Sequence, residues 1–146
     1  MAAVRASVLL AAITVALAVP LVVLAGGGAR KQTPPSFAFG RNGGNILPFT
    51  VKIARDGTVT ATGSSQTPAY PKLSLAVRNA LAQLAQAEGF FTMPAAVACP
   101  GTNPDVAAQF VTVSAGGKTR TVTVHGGCKP AFSQLWSVLY AAVGFG

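Results

Sequence analysis

Two cysteines, one histidine and three acids are the residues through which this chain could do covalent or metal chemistry. They are Cys99, Cys128, His125, Asp56, Glu88 and Asp105. His125 stands three residues before Cys128, so a zinc ion could take both thiolates and the imidazole, with Asp105 as the fourth ligand of a closed tetrahedral site. The same imidazole beside one free thiol would give a Cys/His nucleophile pair, because a nearby cation lowers a thiol's pKa. A disulfide explains both cysteines without any further ligand and is the preferred reading. Paired-carboxylate catalysis needs two acids about 5–10 Å apart. Asp56 falls in a turn, Glu88 at a helix end and Asp105 in a loop, which also leaves too few oxygen ligands for a calcium or magnesium cage. No cofactor is expected.

Which cysteine reading holds depends on the compartment, and the N-terminus bears on that. From Ala6 to Ala25 no residue is charged, and the run is rich in Ala, Val and Leu. Arg5 precedes it, and small residues ending in Gly26-Gly27-Gly28 follow. This is the pattern of a secretory signal, with Val23-Leu24-Ala25 as the cleavage tripeptide. About twenty apolar residues also just span a bilayer core, so residues 1–25 read as a signal peptide or an N-terminal membrane anchor. Either way the remainder is expected outside the cytoplasm of a bacterial-type cell, secreted or held at the outer face of the membrane. There a small even number of cysteines pairs as disulfides. A Cys99–Cys128 bridge would close a loop of about 30 residues.

The 146 residues suffice for one ordinary domain. The 51% apolar fraction is inflated by the leader. All eleven Lys and Arg except Arg5 lie beyond it, against the three acids, so the exported part is basic. That favours anionic partners such as headgroups or wall polymers. The basic residues are scattered, however, with no run of five and no alternation with aromatics, which argues against nucleic acid. Gly117-Lys118-Thr119 imitates the end of a phosphate loop, but Thr112 occupies the position of the required first glycine.

The elements that must position these residues follow from hydropathy patterning. Residues 26–36 are Gly/Pro/polar and read as a linker, leaving 37–146 as a single domain. Phe37-Ala38-Phe39 is a short strand ending at Gly40, and Gly40–Asn45 a glycine-rich loop. Phe49, Val51 and Ile53 alternate with Thr50 and Lys52, Asp56-Gly57 is a favoured hairpin turn because both centre positions tolerate positive φ, and Thr58–Thr62 returns. Ser74 caps a helix with Val77, Leu81, Leu84 and Ala85 on its apolar face and Gly89 as terminator. Phe90–Pro94 plugs the core, and Ala95–Pro104 reads as a loop fixed by Cys99. A second hairpin spans roughly 106–125 around Gly116-Gly117. Phe132, Leu135, Trp136, Leu139 and Val143 then recur at helical spacing. The expectation is an α+β fold: an antiparallel sheet of about five strands, in β-β-β-α-β-β-α order, with two helices on one face. Thr58-Val59-Thr60 and Gly63 are echoed by Thr121-Val122-Thr123 and Gly126, which hints at a duplicated β-β-α unit.

The succession of Gly43-Gly44, Asp105, Val111-Thr112-Val113, Gly116-Gly117, Val122-Thr123-Val124, Pro130-Ala131-Phe132 and Leu135 resembles the small bacterial domains typified by emfourin-type metalloprotease inhibitors. The resemblance spans roughly residues 37–143 and implies a non-enzymatic, inhibitor-like role. The cysteine pair and the leader depart from that pattern.

Two loops remain as binding candidates. Arg41, Asn42, Gly43 and Gly44 form a conformationally permissive segment, and Thr102, Asn103 and Asp105 sit on a stapled, proline-rich one. The functional expectation is a monomeric exported binding module for a protein or cell-envelope partner. Binding of anionic membrane or wall polymer through net charge, and a thiol-dependent enzyme, are the alternatives.

Overall fold

The computed structural model describes residues 32–145. The leader, with its proposed cleavage point, and the first part of the linker lie outside them. The domain runs β1 (Ser36–Asn42), β2 (Phe49–Ile53), β3 (Val59–Thr62), α1 (Leu75–Ala87), a 3₁₀ turn (Phe90–Thr92), β4 (Ala96–Ala98), β5 (Ala108–Ala115), β6 (Lys118–His125) and α2 (Pro130–Ala142). It is α+β. Among the described residues no helix is long and apolar enough to cross a membrane.

The strands form one six-stranded sheet in the order β3-β2-β1-β5-β6-β4. Period-two patterning sends Phe37, Phe39, Val51, Ile53, Val59, Val111, Val113, Val122 and Val124 to one face, where all are buried. Both helices cover that face. From α2 come Phe132, Leu135, Trp136 and Leu139, and from α1 Leu81 and Ala85. Phe39 meets Trp136 edge to face at 6.0 Å, and Trp136 stacks on Tyr140 at 5.0 Å. The opposite face carries Thr50, Thr60, Thr112, Thr121 and their neighbours; Thr112 and Thr121 share a hydroxyl hydrogen bond of 2.8 Å. The two hairpins lie on either side of β1, and each is followed by a 13-residue helix.

Three expectations are corrected. The sheet is mixed and has a sixth strand, because Ala96–Ala98, read as loop, pairs in parallel with Thr123–His125. A three-residue Ala-Val-Ala strand carries no alternation to announce it. Second, β1 continues through Gly40 to Asn42, since its ladder with β5 extends to Asn42 opposite Ala108. The glycine-rich loop therefore starts at Gly43.

The expected hairpin turn at Asp56-Gly57 is present, with positive φ at Gly57 alone (91°). Gly57 N–H donates to the Ala54 carbonyl and Ala54 N–H to the Thr58 carbonyl, both at 2.9 Å. This is a type I turn closed by a glycine bulge. Asp56 stays in the ordinary region and accepts from Thr58 N–H at 2.9 Å and Thr58 Oγ1–H at 2.8 Å.

Third, Val77 is 41% exposed whereas Arg78 is buried. One terminal nitrogen of the Arg78 guanidinium donates to the carbonyls of Arg55 and Pro35, which hold the head in place, while Nε is buried without a partner among the described residues.

Candidate functional site

The structure joins Cys99 to Cys128 by a disulfide with a Cα–Cα distance of 5.6 Å, and no described cysteine is free. Neither sulfur is then a thiolate for zinc or for nucleophilic attack. Among the described residues no three His, Cys, Asp or Glu side chains come together as a metal site.

The bridge ties the start of the 99–106 loop to the segment following β6. Within that loop, Thr102 N–H donates to the Cys99 carbonyl at 3.3 Å and Val106 N–H to the Asn103 carbonyl at 3.0 Å. The Asn103 side chain accepts from Asp105 N–H at 2.9 Å, an Asx turn that holds the loop tip. Hydrogen bonds also anchor the loop to the end of β6. Cys99 N–H donates to the His125 carbonyl at 2.8 Å, and His125 Nε2 lies 2.7 Å from the Val106 carbonyl as its donor. The lone histidine thus serves as a clasp on a loop carbonyl.

The two candidate loops meet. The β1–β5 pairing brings Asn42 level with Ala108, so the β1–β2 loop emerges beside residues 105–107. Asn45 N–H donates to the Asp105 carbonyl at 3.0 Å. Gly44, at φ 63°, lies so close that a Cβ there would sit 2.5 Å from the Asp105 oxygen and 2.6 Å from Ala107 N. No other residue type fits this crossing without displacing one loop.

Of the candidate residues, Gly43, Gly44, Asn103 and Asp105 stand at this shared tip, with Asn42 at the end of its strand. All are exposed. Thr102 turns inward, its Oγ1 donating to the His125 carbonyl at 3.4 Å. Arg41 is not brought into the surface. It points to the helix face, its guanidinium 4.8 Å over the Trp136 ring.

Sequence reasoning missed the apolar members of this end. Leu47 is 82% exposed, Val106 48% and Ile46 45%. The available signal was three aliphatic residues in segments that have no strand or helix period. Together the converging loops present aliphatic side chains rimmed by asparagine and aspartate on a backbone fixed by a disulfide and interloop hydrogen bonds.

Three of the basic residues are engaged by the fold itself. Arg41, Arg78 and Arg120 all turn to the helix side, where Trp136, the Arg55 and Pro35 carbonyls, and the Met93 carbonyl hold them. The fold and this end define a small single-sheet α+β domain with a disulfide-stapled loop surface. No family model matches the chain, and no curated protein matches it.

Proposed function

We propose that this chain is an exported, non-enzymatic binding module that holds a protein partner with the loop end of its sheet. The observation that carries the reading is the interlocking of the two loops at Gly44, Asn45 and Asp105, with Ile46, Leu47 and Val106 left exposed around the lock. Loops fixed before binding lose little entropy on association. An apolar centre within a polar rim is the usual anatomy of a protein contact. The disulfide is compatible with an oxidising compartment, and the N-terminal apolar run with its small-residue exit supports export, with cleavage after Ala25 or retention as an anchor.

The sharper form of the proposal, supported by the resemblance to emfourin-type domains, is inhibition of a secreted metalloprotease. A rigid loop pair is suited to entering an active-site cleft as a poor substrate. The test is capture from cell-envelope and culture fractions with wild type beside Leu47→Asp and Val106→Asp. Both sites are exposed, so the fold tolerates the changes. A partner retained by wild type and lost by both variants supports the proposal. Equal retention by all three overturns it. Inhibition across secreted metalloproteases, abolished by the same substitutions, establishes the sharper form; a flat panel removes it.

A further inference from the structure

The loop end lies at one end of the sheet. At the other, where Ser36 pairs with Ser114, a cleft of about 690 Å³ opens between α1, the entry segment Thr33–Pro35 and the β5–β6 turn. Its volume is within the range of small-ligand sites, about 300–1,000 Å³.

Asn79, Gln83 and Gln86 line it, spaced so that they share one stripe of α1. All three are exposed. The side-chain hydrogen bonds of this region run instead from Arg78 and Thr92 and to Ser74. Among the described residues none of the three carboxamides has a hydrogen-bond partner, so each can donate and accept at once. Half-buried Phe91 supplies an aromatic wall, held edge to face against Phe90 at 6.0 Å. Among the described residues Lys118 is the one charged member of the lining, and no carboxylate belongs to it.

We propose that this cleft binds a neutral oligosaccharide. Three uncharged donor–acceptor groups in a row suit a succession of hydroxyls, each of which also donates and accepts. An aromatic wall suits the C–H face of a pyranose. A cationic ligand finds no countercharge here. An extended peptide is better served at a sheet edge, and the edge strands β3 and β4 lie outside the lining. The site is independent of the loop end, so a glycan held here leaves the loops open to a protein.

The test uses the chain as its export host delivers it, titrated with chitotetraose, cellotetraose and maltotetraose, and with tetra-alanine as the peptide control. Side-chain amide resonances of Asn79, Gln83 and Gln86 are followed by NMR. The expected result is saturable shifts of these resonances with at least one sugar and none with the peptide. Gln83→Ala and Asn79→Ala, both exposed and in a helix that favours alanine, should each weaken binding about tenfold, as loss of one hydrogen bond does. Three results overturn the proposal: no sugar moves these resonances up to its solubility limit, tetra-alanine binds as well as the sugars, or the variants bind like wild type. None of these bears on protein capture by the loop end, which is read separately.

Discussion

Removing the Cys99–Cys128 bridge is the perturbation whose size follows most directly from the fold. The two cysteines are 29 residues apart. In the chain-entropy model a loop of that size gives an entropy difference of about 12 cal/mol/K, or about 3.6 kcal/mol at 25 °C. Cys99 is buried and Cys128 exposed, so the double variant Cys99→Ala, Cys128→Ala adds only a small packing loss. A domain of this size has about 5–15 kcal/mol in total, so the variant stays folded but weakened. The assay is equilibrium urea unfolding of the oxidised protein, the reduced protein and the double variant. With a urea slope of about 1–3 kcal/mol/M, the midpoint should fall by about 1–4 M. Reduced wild type and the double variant should agree. A fall below about 0.5 M would refute the reasoning, because the unfolded chain would then gain little freedom from losing the bridge.

The other predictions concern single sites. Gly44→Ala should cost about 2–4 kcal/mol through the backbone clash and positive φ, and should speed hydrogen exchange at the Asn45 amide; unchanged stability and exchange would show that the loops do not interlock. Trp136→Ala removes the ring that stacks on Tyr140 and meets Phe39, and should cost about 3–5 kcal/mol in urea unfolding, with a loss below about 1 contradicting the packing. The backbone and hydroxyl bonds from Thr58 hold the Asp56 carboxyl below its usual pKa. A carboxyl depressed by folding stabilises above its unfolded pKa, about 3.9, and that stabilisation is lost as pH falls through the folded value. The stability gap between wild type and Asp56→Asn should therefore be present at neutral pH and close in acid, whereas a pH-independent gap would contradict it.

The legible parts of the fold were those with a strong local period. Phe49, Val51 and Ile53 announce a half-buried strand. Phe132, Leu135, Trp136 and Leu139 mark the buried stripe of α2, Val143 extends it at the C-cap, and every one of them is buried. Ser74 caps α1 as its position implies, accepting from Val77 N–H at 3.2 Å. What escaped reading was non-local. Ala96–Ala98 becomes a strand only because β6 offers a free edge beside it. Arg78 displaces Val77 from the buried face because two backbone carbonyls, at Arg55 and Pro35, wait for its head. The site was half legible. Both candidate loops were named from glycine, proline and cysteine content, but their meeting at Gly44 and Asp105 depends on the β1–β5 register, which no local pattern encodes. Arg41 was misplaced for a related reason, since extending β1 to Asn42 fixes the parity that turns it toward Trp136.

The central claim is that the loop end is the contact surface, and site-specific photo-crosslinking in the native cell tests it most directly. A photoreactive residue placed at Leu47 or Val106 should give a discrete protein adduct, while the same residue at Thr60, exposed on the open face of the sheet, should give none. Adducts formed from Thr60 but from neither loop position would contradict the account.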